Sequence, residues 1–208
     1  NLLSQHDVHW IFAPDVREMY PPGDSTRIEI SGPAEPYEGQ LRPGHFSGVA
    51  TIVFRLLHCA PAHAVYFGAK DWQQVLVVQK MVHDLELEVE VRTCPTVRDT
   101  DGLAMSSRNT YLSESERKRA QIIYPALQQA EKNWCGGLAV GTIEQEFKDM
   151  LSEKEIQVDY ADIVHAESLK KVSEVNQSAP AILLIACRIG STRLIDNILL
   201  PSQAMPSC

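Results

Sequence analysis

The side chains that most clearly offer chemistry lie in the segment DGLAMSSRNTYL, residues 101–112. Ser106–Arg108 places two hydroxyls and a guanidinium together, directly before a segment with a helical pattern. The start of a helix carries unpaired N–H groups and partial positive charge, which favour an anion. Hydroxyl and guanidinium donors suit phosphate oxygens. The segment therefore leaves two interpretations open: a phosphate site, and a capped surface helix in which Ser113 is the cap and Glu116 completes a capping box. From the segment alone the capped helix is favoured.

A second group of candidate residues lies in FGAKDWQQ, residues 67–74, where an apolar strand pattern ends and a helical pattern begins. Lys70 supplies a mobile positive charge for phosphate, and Asp71 can accept a hydrogen bond from a ribose hydroxyl. Gln74, one turn into the helix, carries both a donor and an acceptor for a small polar substrate. The alternative is that Asp71 caps the helix and Lys70 is merely solvated.

A third candidate is the segment LRPGHFSGV, residues 41–49, in which Arg42 and His45 flank a Pro-Gly turn before a helical pattern. A histidine here can hydrogen-bond a substrate or transfer a proton. Without a partner at a recognisable spacing, however, a structurally satisfied histidine is the favoured interpretation. The segment alone therefore leaves the role of His45 open.

The segment IGSTRLIDN, residues 189–197, also carries charge within a predicted strand. Arg193 and Asp196 are three positions apart, so they project from opposite faces of the strand. Arg193 either reaches a site or pairs with a carboxylate, and the structural pairing is favoured.

Composition excludes some classes of protein. The chain carries 27 acidic and 19 basic residues, a formal charge of −8, whereas a nucleic-acid-coating protein usually presents a basic face. No apolar run approaches the roughly 20 residues that span a bilayer, and no signal peptide is visible, so a cytoplasmic protein is expected. The cysteines show no metal-ligand spacing and are expected to be buried, reduced thiols: Cys59, Cys94, Cys135, Cys187 and Cys208.

The elements that must position these residues alternate between strand and helix in the first half of the chain. The patterns predict a buried strand over 8–13, a short strand over 28–31, helices over 46–59 and 71–85, and strands over 64–68 and 87–93. This rhythm indicates βαβ units and a parallel sheet, which binds ligands at the carboxyl ends of its strands.

After Pro95 the pattern changes. Helices are predicted over 113–132 and 142–153, and strands over 155–164, 181–186 and 192–199. Helices followed by strands indicate a small α+β domain. We therefore expect an α/β domain over 1–96 and an α+β domain over 97–208.

The chain resembles the pantothenate synthetase (pantoate–β-alanine ligase) family in five segments that occur in order along it: IFAPDVREMYPPG, LRPGHFSGV, AVYFGAKDWQQVLVVQKMVHDL, VRDTDGLAMSSRNTYLSESER and RIGSTRLIDN. The resemblance implies part of a doubly wound parallel sheet, a Rossmann-like α/β domain of the HIGH-superfamily nucleotidyltransferases. It also implies that the smaller C-terminal α+β domain acts as a lid.

The resemblance further implies a two-step, ATP-dependent reaction. In the first step, the carboxylate of pantoate attacks the α-phosphate of ATP and gives pantoyl adenylate and pyrophosphate. In the second, the amine of β-alanine attacks the acyl carbon and gives pantothenate and AMP. Mg²⁺ is expected to accompany ATP, no metal ligand is assigned among these 208 residues, and the full-length protein is expected to be a homodimer.

The resemblance assigns roles to individual residues. The phosphates would be held by Lys70, Ser106, Ser107 and Arg108. Gly68 and Asp71 would hold the ribose, and the backbone near Val97 and Met105 would frame adenine. Gln74 would bind pantoate, with His45 and Arg42 lining the pantoate and β-alanine side.

Two departures from the family pattern stand out. Ala69 occupies the position before Lys70 where the family usually has a glutamate. The family's N-terminal βαβ segment, with its histidine-containing MG-x-LH-x-GH motif, is not present in these 208 residues, so we expect the chain to be the C-terminal part of a longer enzyme. Two alternatives stay open: a non-catalytic scaffold remnant, and a related adenylate-forming ligase with another carboxylate substrate.

Overall fold

Two separate sheets organise the chain in a computed structural model, which describes residues 3–174 and 179–202. The strands are β1 Ala64–Gly68, β2 Glu90–Cys94, β3 Gln157–His165, β4 Ala181–Ile189 and β5 Thr192–Leu200. The α-helices are α1 Val16–Met19, α2 Glu38–Leu41, α3 His45–Cys59, α4 Trp72–Asp84, α5 Glu114–Ala120, α6 Ile123–Cys135 and α7 Val140–Ser152. Short 3₁₀ helices cover Leu3–Gln5, Ala69–Asp71 and Ser107–Tyr111.

The first sheet is the parallel pair β1–β2, connected through α4. This confirms the predicted βαβ unit. Helices α3 and α4 bury their apolar faces together because apolar residues recur along both at helical spacing. Their buried side chains are Phe46, Ala50, Val77, Val78 and Met81.

The second sheet is antiparallel, in the order β3–β4–β5, and is joined to helices α6 and α7 in one apolar core. The central strand β4 is buried from Ala181 to Cys187, as expected for a strand paired on both edges and covered by helices. The largest fully buried side chains include Trp134 and Phe147. The antiparallel sheet with its helices confirms the α+β character predicted for the second half.

A smaller apolar cluster joins the two sheets. Leu76 of α4 packs with Val164, Ile182 and Leu184 of the antiparallel sheet. Trp72 packs against the same cluster, and its Nε1 donates a hydrogen bond of 2.7 Å to the carbonyl of Ala166. The helix that follows β1 is therefore attached directly to the C-terminal sheet.

The strand predicted over 8–13 is wrong. These residues form no strand, and Trp10 and Ile11 are 91% and 69% exposed. The apolar run has strand composition, but a strand needs a neighbour, and none of the described residues pairs with it. The strand predicted over 28–31 is also absent, although Ile28 packs against the α3–α4 core and its amide donates to Thr51 Oγ1 at 3.0 Å.

The single helix predicted over 113–132 is divided into α5 and α6. Pro125 lies in the first turn of α6, where its ring cannot donate to the carbonyl of Gln121 and would collide with it if the helix were continuous. The capping box at Ser113 and Glu116 is present as predicted at the start of α5. The other predicted helices and strands agree with the structure to within three residues at each end.

Two further expectations concern burial. The apolar pattern of β1 favours a buried strand, yet Tyr66 at its centre is 62% exposed, because β1 pairs with a strand on one edge only within the described chain. Cys59 and Cys135 are exposed, contrary to the prediction, while Cys187 is buried as expected. Cys208 lies outside the described residues.

No helix in residues 3–174 and 179–202 combines the length and apolar character that crossing a membrane requires.

Candidate functional site

A cleft opens at the carboxyl end of β1, between the α2–α4 region and strand β5. It is lined on one side by five residues that the sequence singled out: Arg42, His45, Lys70, Asp71 and Gln74. Side chains of the C-terminal sheet form its other side, among them Tyr160, Ile195, Asp196 and Asn197. The structure thus brings together residues from three separate sequence segments at the edge where a parallel sheet binds ligands.

The turn that carries Lys70 and Asp71 is held from the opposite sheet. Asn197 of β5 donates through Nδ2 to the backbone carbonyls of Ala69 and Lys70, both at 2.9 Å. Within residues 3–174 and 179–202, the side chains of Lys70 and Asp71 form no hydrogen bond or ion pair. Asp71 occupies the N-cap position of α4, but its side chain does not cap the helix as the alternative interpretation required. The backbone is fixed while both charged groups stay available.

Two adjacent glutamines at the start of α4 have different roles. Gln73 is buried, donates to the carbonyls of Pro33 and Pro36 at 2.9 and 2.6 Å, and accepts from the Glu38 amide at 3.1 Å. Gln74 is half-buried, lines the cleft and has no partner among the described residues. The helix therefore uses Gln73 to fasten the preceding loop and leaves the amide of Gln74 for a ligand.

His45 is the first residue of α3 and lies half-buried at the cleft. Burial lowers its pKa, and the positive charges of Arg42 and Arg108 act in the same direction, against the opposing charges of Glu38 and Asp71. His45 is consequently neutral at pH 7. A neutral imidazole can accept a hydrogen bond or a proton from a ligand.

The serine–arginine segment has a different setting from the predicted one. Ser107–Tyr111 forms its own 3₁₀ helix, so Ser106–Arg108 does not lie at the start of α5. Ser106 accepts a hydrogen bond from the Arg108 amide at 3.2 Å. Ser106 and Lys70 line a common small cavity next to the cleft, whereas Ser107 and Arg108 are exposed. Ser106 and Lys70 therefore border the same cavity, as a shared phosphate site requires.

Asn109 anchors the serine–arginine segment through buried hydrogen bonds. It is buried, and its Nδ2 donates to the carbonyl of Ala104 at 3.0 Å and to Asp99 Oδ2 at 3.4 Å. Arg117 of α5 holds Asp99 at 2.8 Å and Asp101 at 2.7 Å. Asn109 Oδ1 is the one buried side-chain polar atom in the described part of the chain without a partner, and Asn109 lines the cavity shared by Lys70 and Ser106.

Val97 and Met105 face each other across a short hairpin, in which the Met105 amide donates to the Val97 carbonyl at 2.9 Å. That bond occupies one of the donors that adenine was expected to use. Their side chains are 66% and 54% exposed, so an apolar surface is present beside the hairpin. Neither residue lines the cleft, and the same holds for Gly68, which ends β1.

Several polar residues of the site were missed by the sequence interpretation. Glu38 lies in an irregular Pro-rich stretch and gave no signal, yet it is buried at the cleft. Asp196 pairs with Arg98 through two hydrogen bonds of 2.7 and 3.0 Å. Asp196 and Asn197 form a polar pair within an apolar strand, and that pair was a detectable signal. The structural interpretation of Arg193 agrees with the geometry, because its guanidinium contacts Glu38 at 2.6 and 2.9 Å.

The charge pattern around the cleft favours an anionic ligand. Lys70 and Arg108 have no carboxylate within ion-pair distance among the described residues, whereas Arg98, Arg117 and Arg193 are all paired. Residues 3–174 and 179–202 contain no group of three or more His, Cys, Asp or Glu side chains arranged to hold a metal ion.

The family model and the curated relatives that match this chain belong to the same family. The family model described as pantoate-beta-alanine ligase matches residues 1–199. A pantothenate synthetase of Acetivibrio thermocellus is 45% identical over 200 residues, which cover 95% of this chain and 70% of that protein. The corresponding protein of a Roseiflexus species is 43% identical, with 96% of this chain and 72% of its own length covered.

Solved structures show the same similarity. A crystal structure of pantothenate synthetase from Thermus thermophilus superposes with a TM-score of 0.90 at 45% identity, covering 95% of this chain and 71% of that one. A pantoate-beta-alanine ligase from Francisella tularensis, complexed with beta-gamma ATP and beta-alanine, gives a TM-score of 0.75 at 31% identity and covers 95% and 67% of the two chains.

Proposed function

The chain belongs to the pantoate–β-alanine ligase family, and we propose that it condenses pantoate with β-alanine to give pantothenate at the expense of ATP. The observation that carries the proposal is the convergence of Lys70 and Gln74 in one cleft at the end of β1, each without a partner among the described residues. An available cation and an available amide suit a phosphate and a small hydroxy acid.

In the proposed first step, the carboxylate of pantoate attacks the α-phosphate of ATP and pyrophosphate leaves. Attack of an anion on a phosphate requires alignment and neutralisation of charge more than covalent help from the protein. Lys70, Ser106, Ser107 and Arg108 are assigned to the phosphates. The shared cavity of Lys70 and Ser106 supports this assignment, and the exposed Ser107 and Arg108 would approach the phosphates as the loop closes.

The nucleoside would lie beside the hairpin that precedes this loop. Adenine would rest against the exposed apolar side chains of Val97 and Met105, hydrogen-bonded to the Val97 amide and the Met105 carbonyl, which have no partner among the described residues. Asp71, with Gly68, would hold the ribose hydroxyls. The unpaired carboxylate of Asp71 supports that role.

In the proposed second step, the amine of β-alanine attacks the acyl carbon of pantoyl adenylate, and AMP leaves. Gln74 would hold pantoate. Arg42 would attract a substrate carboxylate. The neutral imidazole of His45 would accept a hydrogen bond or a proton from the ammonium group of β-alanine. The domain over 97–208 would close over the intermediate and exclude water, which protects the reactive acyl adenylate.

Three further features belong to the proposal. Mg²⁺ would reach the site with ATP and take its ligands from phosphate oxygens, as this ion commonly does, and no step above depends on it. We also expect a homodimer, and a cytoplasmic location where ATP is supplied. The resemblance supports these three features.

The first test is direct product detection. The 208-residue chain is incubated with Mg-ATP, pantoate and β-alanine, and AMP and pantothenate are measured by mass spectrometry. The part of the Thermus thermophilus protein that this chain does not cover is supplied as a separate polypeptide in a parallel reaction. Pantothenate in either reaction supports the function, and its loss in Lys70→Ala assigns the cleft.

A panel of other hydroxy and keto acids accompanies this assay. Faster AMP release with another acid would transfer the proposal to a different carboxylate substrate. Release of no AMP with any acid, with or without the added polypeptide, would contradict the proposed function.

A further inference from the structure

Glu38 is a buried carboxylate at the floor of the cleft, with 5% of its surface exposed. Arg193 of β5 donates to both of its oxygens, at 2.6 and 2.9 Å, and the Tyr160 hydroxyl of β3 donates at 3.0 Å. Burial raises the pKa of Glu38, but the hydrogen bonds and charge of Arg193, together with the hydrogen bond from Tyr160 and the charge of Arg42, outweigh burial and hold the pKa below its usual value. Glu38 is therefore ionised and needs a cationic partner, because an unpaired buried charge is strongly unfavourable.

Arg42 is the other cation beside Glu38. It lies four residues further along the chain, with Nη1 at 3.8 Å from Glu38 Oε2 and 39% of its side chain exposed. At 3.8 Å the two groups attract each other but form no hydrogen bond. Arg193 and Tyr160 supply three of the about four hydrogen bonds that a carboxylate can accept, and Arg42 supplies none, so its own N–H groups stay available at the cleft.

The charges of the cluster support this division. Asp159 balances part of Arg193 at 2.7 Å and is itself contacted by Arg188 at 3.2 Å. The Glu38 side of the cluster then has one carboxylate shared by two guanidiniums. Because Arg193 forms a forked contact and Arg42 does not, the residual positive charge lies on Arg42, which faces the cleft.

We propose that Arg193 is a positioning residue: by satisfying Glu38 from the C-terminal sheet, it keeps Arg42 free to bind the carboxylate of an acid substrate. This inference rests on the proposed function for the identity of the acid, pantoate or β-alanine. Without Arg193, Arg42 moves onto Glu38 and its charge is lost to the substrate. The arrangement also makes carboxylate binding depend on the C-terminal sheet being in place over the cleft.

The test is calorimetric titration of the full chain with pantoate, with β-alanine and, for comparison, with ATP. Arg193→Met should weaken binding of the acid that Arg42 holds by about tenfold or more, the value of a charge-assisted hydrogen bond, and should leave ATP binding nearly unchanged. Glu38→Gln in the same chain should restore that binding to within about threefold, because the neutral amide no longer captures Arg42. Such a rescue is not expected if Arg193 merely supports the fold.

Arg188→Met is the matched control, since it removes a guanidinium from Asp159 without touching Glu38, and it should bind both acids as the wild type does. If circular dichroism shows that Arg193→Met is unfolded, Arg193→Lys replaces it. Lysine keeps the charge but cannot form the fork, so an intermediate loss is expected.

Unchanged acid binding in the Arg193 variant, or a loss that Glu38→Gln does not repair, overturns the proposal while leaving the function intact. A wild-type chain that binds neither acid, with or without the uncovered part of the Thermus thermophilus protein supplied as a separate polypeptide, contradicts the proposed function instead. A crystal structure of the Arg193 variant then decides the positioning role by itself. The distance of 3.8 Å between Arg42 and Glu38 should shorten to that of a hydrogen bond, and an unchanged distance overturns the proposal.

Discussion

At the scale of single residues, Lys70 is the side chain on which adenylation should depend most. Its ammonium group has no carboxylate partner among the described residues and lies in both the cleft and the cavity shared with Ser106. Lys70→Ala should lower pantoate-dependent exchange of pyrophosphate into ATP by about 100-fold, the usual cost of losing one charge-stabilising donor. Lys80→Ala, which removes an exposed lysine paired with Asp84, should not change the rate, and an equal fall in both variants would refute the assignment.

Asn109 should govern the stability of the serine–arginine segment. Asn109→Ala leaves the Ala104 carbonyl and Asp99 without their amide donor, which should lower the free energy of unfolding by about 1–3 kcal/mol. Urea denaturation measures this loss. The control is Asn133→Ala, which removes a half-buried amide whose hydrogen bonds to Gln129 and Glu146 lie at the surface, and it should cost less than about 1 kcal/mol. Equal midpoints for both variants would show that Asn109 does not anchor the segment.

The sequence predicted the residues of this site better than their partners. Lys70, Asp71 and Gln74 were recognisable because a charged and polar cluster follows a strand pattern directly. Glu38 was not, because its partner Arg193 lies 155 positions away and single-sequence patterns carry no information about such pairs. Gln74 was singled out by its position one turn into the helix, whereas the buried fastening role of Gln73 gave no local signal.

At the scale of helices and strands, the apolar core of the C-terminal half depends on α6 and α7. Phe147 of α7 is 1% exposed, and Phe147→Ala should lower the free energy of unfolding by about 3–5 kcal/mol through lost burial and the cavity that remains. Phe12→Ala is the matched control, because Phe12 is 52% exposed, and its effect should stay within about 0.5 kcal/mol. Urea midpoints compare the two, and a similar cost at both positions would contradict the described burial.

Periodicity predicted most elements because the apolar residues of α3, α4, β4 and β5 follow a single local pattern. It failed where a local pattern is not sufficient. Residues 8–13 have the composition of a strand but no pairing neighbour within the described chain, and Pro125 interrupts a helical pattern that is otherwise continuous. Residues 8–13 form no strand because they lack a tertiary pairing partner in the described chain. The helix is divided because Pro125 lacks a backbone N–H.

At the scale of the whole molecule, the Glu38 cluster should make stability depend on pH in acid. The pKa of Glu38 is lowered in the folded protein, so the unfolded chain takes up the proton first as pH falls. Its stabilising contribution is therefore complete above about pH 4.5 and is lost as pH falls through the folded pKa. Glu38→Gln should flatten this acid limb in urea titrations from about pH 6 to about pH 3.

Glu35→Gln is the control for that experiment. Glu35 is exposed and forms no ion pair among the described residues, so this variant should retain the wild-type pH dependence. An acid limb of equal steepness in Glu38→Gln and the wild type would show that the cluster contributes nothing to acid stability.

The contacts between the two sheets should also make the chain unfold in one step. Trp72 and Leu76 of α4 pack on the C-terminal sheet, and the Glu38–Arg193 pair adds a buried polar tie between the same parts. Urea unfolding followed by far-UV circular dichroism and by tryptophan fluorescence should therefore give coincident curves. Trp72→Phe removes the hydrogen bond to Ala166 and should cost about 0.5–1.5 kcal/mol, whereas Trp10→Phe, at a residue 91% exposed, should cost almost nothing. Curves that separate in the wild type would mean that the two sheets unfold independently. The contacts between the sheets would then be too weak to hold the C-terminal sheet over the cleft, as carboxylate binding requires.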